Sequence, residues 1–494
     1  MLVKSDRLGL VSPQRFYIDQ EIYLPSINEI IIVNASIRKN SVDLSENEAK
    51  IAYNIKYNVI YRDSAHIDSK EDQFERTFNM KIPELALNKL IDFDISILNI
   101  EYTGTINLKI RAEIEIKGFK VIESEIILPD IDSDILVKTM TSSVEEIVQI
   151  KDNNFKVTGE FVIKEGLSKI LLDDSRIIIN KVQYRTEICT VEGECLINVI
   201  YLSDGNICTR HFPIKFNEEC LIPLDAPIEI SCMGEVVDCE IIVDCESIEK
   251  ESTTIKISLT GKIKGFGIIS KDVNFPVDAY SLIQELNLKF DDYEIQKNNC
   301  INVKNEKIKG VIHLNDDDVR IRSILATTAP YISIIEISNT DGLSIDGIVT
   351  LNVIYLNKND EISTELAEIP YHITLDKELD KFINPIIGRM LITDTNVRGK
   401  HNDEIEINLE LDIVILGVKT DHIKYIKSIK ENGVIINNES AISIYVTKKD
   451  ETLWDVAKAL KTDPEKLLIQ NPELKTTVRD GEKVILYRGL KTNL

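Results

Sequence analysis

Two short stretches near the C-terminus hold the side chains best suited to recognising a partner. They comprise Asp450, Glu451, Thr452, Leu453 and Trp454, and then Asn471, Pro472, Glu473 and Leu474. Carboxylates, a hydroxyl, an amide and an indole make hydrogen bonds and apolar contacts, so they predict non-covalent binding. Trp454 is the only tryptophan, and exposed tryptophans are frequent hot spots whose truncation costs roughly 2 kcal/mol or more. A second interpretation is that Trp454 covers the edge of a small core.

Capping and periodicity predict the elements that position these stretches. Residues 443–447 alternate as a strand does, and Thr452 with Asp455 has the spacing of a capping box that begins a helix. Asp463-Pro464 begins a second helix, and Asn471-Pro472 ends it, because the residue before proline avoids the helical region. The apolar stripe of the first helix comprises Leu453, Val456, Ala457 and Leu460. The final strand comprises Val484, Ile485, Leu486 and Tyr487.

This order of strand, helix, helix and strand over residues 443–488 resembles the LysM domain. The positions that match that family are Tyr445-Val446, Thr452-Leu453-Trp454, Val456-Ala457, Leu467, Asn471-Pro472 and Gly481. The resemblance implies a small α+β module with a binding groove between two loops, which most members use for glycans. The family usually has glycine and then aspartate before the threonine, where this chain has Asp450-Glu451. That departure weakens the expectation of ordinary glycan binding.

Motifs for covalent chemistry and for metal binding are missing from the sequence. There is no nucleophile elbow, phosphate-binding glycine loop or zinc-protease helix, and the six histidines are scattered. The abundant carboxylates mostly fall on the polar faces of alternating strands, where solvation explains them. Cys208 with His211 lacks the second spaced pair that a zinc site uses. We therefore expect no enzymatic activity, no cofactor and no metal.

Seven of the eight cysteines lie in one segment. They are Cys189, Cys195, Cys208, Cys220, Cys232, Cys239 and Cys245, and the eighth is Cys300. Reduced, mostly buried thiols are the default expectation for a protein that is not exported. The alternative is that some of them become cross-linked after the surrounding cell dies and its reducing power is lost.

Length and charge limit the classes of partner. A chain of 494 residues is too long for one core and predicts three or four domains. The net charge of −24 disfavours nucleic acid and anionic membranes as partners; residues 443–494 carry +2 and the remainder −26. No apolar run approaches the roughly 20 residues that cross a bilayer, and the first residues lack the apolar core of a secretory signal. We expect no transmembrane segment and no export.

The body before residue 420 repeats itself at a period of about 150 residues. The sequence Asn-Val-Ile-Tyr occurs at residues 58–61, 198–201 and 352–355. A second landmark, Ile-Lys-Gly-Phe, occurs at residues 116–119 and 263–266, and its looser form, Ile-Leu-Gly-Val, at 415–418. Two independent landmarks with one period indicate a threefold repeat.

Strict alternation over residues 105–116, 254–263 and 404–415 predicts long strands that are buried on one side only. The expected fold is mainly β: three β-sandwich-like domains in series, followed by a small α+β (βααβ) module. The expected boundaries are 1–135, 136–290, which is rich in cysteine, and 291–419 for the repeats, 420–442 for a linker and 443–488 for the terminal module. Residues 131–148 and 280–288 are candidate short helices between copies.

The repeated β domains, the Asn-Val-Ile-Tyr strand, the terminal LysM-like module, the acidic body and the lack of a signal sequence together resemble the SipL-type spore coat morphogenetic proteins. In that family, functionally similar to SpoVID, the repeats are SPOCS domains. The resemblance implies a non-enzymatic scaffold of the mother-cell cytoplasm that joins the coat ATPase SpoIVA at the forespore surface and supports encasement by coat proteins.

Three functions remain open at this point. The groove formed by residues 450–454 and 471–474 is expected to dock a protein partner. The alternative is binding of peptidoglycan, its precursor or another N-acetylglucosamine glycan. A wall hydrolase targeted by a LysM module is disfavoured, because no catalytic motif or export signal accompanies the module.

Overall fold

A computed structural model gives the structure of residues 1–488, apart from residues 26, 46, 65, 83–89, 186, 223–226, 228, 245–251, 315–320, 340–341, 376–382, 401–402, 435–440 and 475–477. Cys245 and His401 lie outside the described residues. Strands account for most of the described chain, and both helices found there are short and near the C-terminus. The expectation of a mainly β fold is therefore confirmed.

The strands fall into three consecutive blocks and a terminal module. Block 1 contains β1 (Leu2–Tyr23), β2 (Glu29–Leu44), β3 (Glu48–Asp63), β4 (His66–Lys81), β5 (Leu90–Thr103) and β6 (Asn107–Ile127). Block 2 contains β7 (Ile135–Gln149), β8 (Asn153–Ile163), β9 (Lys169–Arg185), β10 (Ile188–Ser203), β11 (Asn206–Leu221), β12 (Glu229–Val243) and β13 (Thr253–Ser281).

Block 3 contains β14 (Gln284–His313), β15 (Ile321–Thr327), β16 (Tyr331–Ser338), β17 (Ser344–Asn357), β18 (Ile362–Thr374), β19 (Ile383–Lys400) and β20 (Glu404–Val434). The terminal module contains β21 (Ile442–Val446), α1 (Leu453–Leu460), α2 (Pro464–Gln470) and β22 (Lys483–Tyr487).

Each block builds two antiparallel sheets with the same relation between its strands. The last strand of the block is central in one sheet, between the first strand and the penultimate one, as in the orders β1-β6-β5 and β14-β20-β19. The Asn-Val-Ile-Tyr strand is central in the other sheet: β3, β10 and β17. In block 2 the first strand is divided, and both β7 and β8 pair with β13.

The strands form because apolar residues alternate along them, and the alternation is seen in the structure. In β20, alternate side chains from Ile405 to Ile415 are buried and the intervening ones are only partly buried. The apolar faces of the two sheets of block 3 meet in one cluster that includes Ile407, Leu409, Leu351 and Val353. Blocks 1 and 2 have corresponding clusters between their sheets, so each block has the layered packing of a β-sandwich.

The three blocks are not arranged like beads in series, because they share apolar clusters. Ile60, Ile200 and Ile354, which are the isoleucines of the three Asn-Val-Ile-Tyr segments, are fully buried and pack in one cluster. We call this cluster the hub. Leu171 and Leu172 of block 2 and Ala326 of block 3 complete it, with others. The isoleucine of each Asn-Val-Ile-Tyr segment therefore packs against the other blocks.

Two further clusters join the blocks. One takes three buried residues from each block: Val3, Ile126 and Leu128; Val144, Val273 and Phe275; Ile295, Ile423 and Tyr425. The other contains Leu8, Phe119, Val121, Ile147, Phe266, Ile268, Cys300 and Leu416. Each pair of blocks is in contact, so the three close around a common axis.

A cycle of buried hydrogen bonds accompanies these clusters. Asp6 of β1 accepts a hydrogen bond from the backbone N–H of Ile147 at 3.1 Å. Glu145 of β7 accepts from the N–H of Asn298 at 2.6 Å, and the Asn298 side-chain oxygen accepts from the N–H of Leu8 at 2.8 Å. Each block thus satisfies a backbone donor of the next, and all three side chains are at least 95% buried.

The structure corrects several sequence-based boundaries. Residues 131–148 and 280–288 are not helices: β7 occupies most of the first range, and β13 and β14 occupy the second. Residues 420–434 are not a linker, because β20 continues to Val434 and pairs there with β14. β14 begins at Gln284, before the boundary expected at residue 290, and pairs with β20 of block 3. Residues 435–440 lie outside the described residues.

We predict that Ile200→Ala destabilises the protein by about 2–5 kcal/mol, because it leaves a cavity where three blocks meet. The free energy of unfolding, measured by chemical denaturation, tests this. Ile335→Ala is the matched control, since Ile335 is 68% exposed and its truncation is expected to change stability by less than about 0.5 kcal/mol. Equal effects of the two substitutions would contradict the packing of the hub.

Glu145 gives a pH-dependent prediction. Burial raises the pKa of Glu145, although hydrogen bonds from Asn298 lower it, and burial raises the pKa of the nearby Glu229 to about 6. A carboxyl whose pKa is raised by folding favours the folded state at low pH, and this contribution is lost as pH rises through the raised value. Relative to Glu145→Gln, which keeps an acceptor, the unsubstituted protein should lose stability from about pH 4 upward.

Glu145→Ala separates the charge from the hydrogen bond. It removes the acceptor for Asn298 and should cost about 1–3 kcal/mol, because buried donors are left unpaired. Denaturation midpoints across a pH series measure both variants. A Gln variant that is less stable than the unsubstituted protein by the same amount at every pH would contradict the argument.

Candidate functional site

The terminal module is a small layer of two helices on a two-stranded sheet. β21 and β22 pair antiparallel, with Ile444 opposite Ile485. The apolar residues beneath the helices form one cluster: Leu453, Val456, Ala457, Leu460, Leu467, Leu474, Val478, Val484 and Leu486. The predicted stripe of α1 is therefore buried, and the order of strand, helix, helix and strand is observed.

The first candidate stretch folds as its sequence predicts. Thr452 is the N-cap of α1: its hydroxyl accepts a hydrogen bond from the N–H of Asp455 at 3.4 Å, and Asp455 accepts from the N–H of Thr452 at 2.8 Å. Burial raises the pKa of Asp455, but the hydrogen bonds from Thr452 and the nearby lysines together lower it by more than burial raises it. The pKa of Asp455 is therefore below its usual value. Before the cap, Glu451 accepts from the hydroxyl of Tyr445 at 2.7 Å.

The second stretch contains a structural residue where a binding residue was expected. Asn471 is 98% buried. Its amide nitrogen donates to the carbonyls of Leu467 at 2.9 Å and of Ile485 at 2.8 Å. Its amide oxygen accepts from the N–H of Ile485 at 2.9 Å. Asn471 therefore fastens α2 to β22, and these contacts use its polar atoms within the module.

The nine predicted site residues divide into three groups by exposure. Leu453, Asn471 and Leu474 are buried, so they support the module and do not form its surface. Glu451, Thr452 and Trp454 are partly exposed, whereas Asp450, Pro472 and Glu473 are exposed. Asp450 has a positive φ of 67°, which places it in the turn that ends the first strand. The two stretches meet through Leu453 and Leu474 in the shared cluster.

Trp454 contacts the body of the protein, which neither sequence-based interpretation included. Its indole N–H donates to Asp278 of β13 at 2.8 Å. Its ring lies edge-on to Tyr280, with 4.9 Å between the ring centroids. The Tyr280 hydroxyl donates to the carbonyl of Thr462 at 2.7 Å. The tryptophan therefore anchors the module to block 2.

Helix α1 makes contacts on two faces, one toward the core of the module and one toward block 2. The first carries the buried stripe. The second carries Trp454 and Lys458, which are four residues apart and so share a side of the helix, and Lys461 follows as the C-cap. Lys458 forms an ion pair with Asp278 at 2.6 Å, and Lys461 lies 3.8 Å from Glu285. Donors on the near-neutral module thus meet carboxylates on the acidic body. The sequence shows the charge difference between the two parts, but no contact between them was predicted from it.

An exposed apolar surface lies on the opposite side of the sheet from the helices. Ile442, Ile444 and Val446 of β21 are 54–63% exposed, and Tyr487 of β22 is 55% exposed. We call these four residues the ribbon face. Its signal in the sequence is the alternation of Ile442, Ile444 and Val446 with Ser443 and Tyr445, but alternation does not specify which face is covered. Here Tyr445 packs on the module's cluster, and the aliphatic residues face solvent.

A cavity with charged walls, between the three blocks, has a structural explanation. It measures about 210 Å³ and is lined by residues of all three blocks, including Arg389 of block 3. Lys39 pairs with Asp92 at 2.7 Å, and Lys264 pairs with Glu235 at 2.6 Å. Burial lowers the pKa of Lys264, but Asp92 and Glu235 raise it overall. Lys39 also lies 3.6 Å from Glu235, and Lys264 lies 3.2 Å from Asp92. Because these two pairs cross from block 1 to block 2, we assign the cavity wall to joining the blocks.

The described residues contain neither a metal-ligand group nor a membrane-spanning helix. No group of three or more histidine, cysteine, aspartate or glutamate side chains among them could hold a metal ion. Within the same part of the chain, no helix is long and apolar enough to cross a membrane. Cys208 and His211, the nearest approach to a metal pair in the sequence, face opposite sides of β11, because they stand at positions of opposite parity.

Comparisons with models of known protein families, with curated proteins and with solved structures found no match to this chain. The arrangement of the described residues is therefore the basis on which a function is inferred. That arrangement consists of a closed β body, a module anchored by Trp454, and the exposed ribbon face.

We predict that Asp278→Ala releases the module from block 2, because it removes the acceptor of both Trp454 and Lys458. Hydrogen bonds to charged groups contribute about 1.5–3 kcal/mol each. Since Trp454 is the only tryptophan, its fluorescence reports the contact directly: the emission should shift to longer wavelength and acrylamide should quench it more strongly. Asp272→Ala, on the exposed side of the same strand, should leave the spectrum unchanged. An unshifted spectrum for Asp278→Ala would contradict the contact.

Proposed function

We propose that this chain is a non-enzymatic spore coat morphogenetic scaffold of the SipL type. In this proposal the three blocks are SPOCS repeats, the terminal module is a LysM domain, and the protein acts in the mother-cell cytoplasm at the forespore surface. The module docks onto the coat ATPase SpoIVA, and the body supports encasement by other coat proteins. No step of this function makes or breaks a covalent bond.

The body supports the scaffold role because apolar and polar contacts join its three blocks. Three apolar clusters join the blocks, and buried hydrogen bonds link Asp6, Glu145 and Asn298 across them. The cavity between the blocks is lined by paired charges and not by a converging set of reactive groups. Such a body can hold a module at a defined position.

The observation that carries the docking proposal is the ribbon face. Its side chains are three aliphatic residues and one tyrosine, all more than half exposed. Contiguous exposed apolar side chains on a soluble domain mark interaction surfaces, and covering one isoleucine contributes about 1.5–3 kcal/mol. Docking at this face places the partner on the side of the module away from its helices. The exposed residues Asp450, Pro472 and Glu473 remain candidates for the rim of the same interface.

The ribbon face favours a protein partner over a glycan. Sugar hydroxyls lose their hydration on binding and need hydrogen-bond partners in return, but aliphatic side chains offer none. The indole N–H of Trp454 already donates to Asp278, and Asn471 is used within the module. Binding of peptidoglycan or another N-acetylglucosamine glycan remains the second candidate function, on the resemblance of the module to LysM.

We predict that Ile444→Ser weakens binding of the full chain to SpoIVA by about tenfold or more, because it removes the centre of the ribbon face. Titration calorimetry or a quantitative pull-down measures the affinity. Ile335→Ser is the matched control, since Ile335 is an equally exposed isoleucine on block 3, and it should bind as the unsubstituted chain does.

Two outcomes would count against this proposal. Unchanged affinity of Ile444→Ser would show that the partner does not use the ribbon face. Sedimentation of the full chain with purified peptidoglycan, without measurable binding to SpoIVA, would favour the glycan function instead.

A further inference from the structure

Three thiols of block 2 lie together between its two sheets. Cys189 of β10 and Cys220 of β11 are directly opposite each other in one sheet, and both are buried in the core of the block. Cys232 of β12 belongs to the other sheet, where it is paired with Gly265, and it packs against the same core. Cys189 therefore has one thiol beside it in its own sheet and one facing it from the other sheet.

The hydrogen bonds of these thiols distinguish the two neighbours. The Cys232 thiol is hydrogen-bonded to Cys189, which lowers the pKa of Cys189 and raises that of Cys232. Cys220 is instead hydrogen-bonded to the side chain of Asn153, although burial raises its pKa to about 11. Cys189 and Cys232 are thus neighbours at the core of the block, and Cys189 has the more acidic thiol.

A small oxidant has a route to the Cys232 side of this pair. Cys232 lines a cavity of about 350 Å³ between blocks 2 and 3, together with Met233 and Asn302. Hydrogen peroxide is about the size of water and fits such a space. The same region of the described chain offers no group of three side chains able to hold a metal ion, so metal binding does not compete for these sulfurs.

We propose that Cys189 and Cys232 form a disulfide that links the two sheets of block 2 when the protein meets peroxide. A bond between facing sheets is sterically different from one between neighbouring strands: it crosses the core, and it closes a loop of roughly 40 residues. Four other thiols are expected to stay reduced under the same treatment: Cys195, Cys208, Cys239 and Cys300.

The chemistry balances with hydrogen peroxide as the oxidant. The thiolate of the pair attacks one peroxide oxygen, so that a sulfur–oxygen bond forms, the oxygen–oxygen bond breaks, and one water leaves after protonation. The second thiol then attacks the sulfur of this sulfenic acid, which forms the disulfide and releases a second water. Two thiols and one peroxide therefore yield one disulfide and two waters.

Mass spectrometry of the full chain tests the proposal. The reduced protein is treated with an equivalent of hydrogen peroxide, its free thiols are alkylated under denaturing conditions, and the digest is searched for linked peptides. The expected product joins Cys189 to Cys232, and its formation should raise the midpoint of thermal unfolding by roughly 4 °C. Reduction with dithiothreitol should reverse the shift.

Two variants and the other outcomes complete the test. Cys232→Ser should abolish both the link and the thermal shift, whereas Cys208→Ser, at a half-buried thiol of β11, should retain both. Linkage of Cys189 to Cys220, recovery of all thiols unlinked, or oxidation only to sulfinic and sulfonic acids would each overturn the proposal. Because the mapping uses the unsubstituted chain, a variant that fails to fold does not affect the result.

Discussion

Burial of apolar side chains along a common axis is the constraint on which the rest of this structure depends. Each sandwich core is filled by its own two sheets, but Ile60, Ile200 and Ile354 have no place in those cores and would meet water if the blocks separated. Hydrophobic contact is non-directional and cannot set the rotation of one block against another. The buried hydrogen bonds of Asp6, Glu145 and Asn298 supply that direction, because each of these side chains accepts from a backbone N–H of another block.

A rigid body changes what the terminal module can do. If the module hung on a free tether, its exposed faces would sample every direction; anchored through Trp454 and Lys458, it presents the ribbon face at a fixed place. The module then loses its orientational freedom during folding, so less entropy is lost when a partner binds there. Trp454, which the sequence suggested as a binding hot spot, thus acts within the molecule: it fixes the position of the ribbon face, which consists of other residues.

Local features of the sequence predicted much of this fold, and long-range ones did not. The caps at Thr452 and Asp463 and the alternation in β20 depend on neighbours a few residues away, and they are found as expected. The alternation stops at residues 57–60, where four consecutive side chains are buried, and that break signals a strand covered on both faces. It gives no hint that the second cover is another block. Trp454 and Asp278 are far apart in sequence, and no sequence pattern distinguishes Asp278 from the other acidic residues of the chain.

Closure around an axis also bears on how such a chain can arise. A lone block would expose the residues that its neighbours cover, but three identical chains could cover one another, since the blocks meet through corresponding positions. Tandem duplication of a gene for such a symmetric trimer leads directly to one chain of this shape. In the present chain the three blocks differ: seven of the eight cysteines lie between residues 189 and 245, the first strand of block 3 has 30 residues, and the terminal module follows block 3. A trimer of three equivalent blocks would in this way become a single chain that presents one terminal module at one of its blocks.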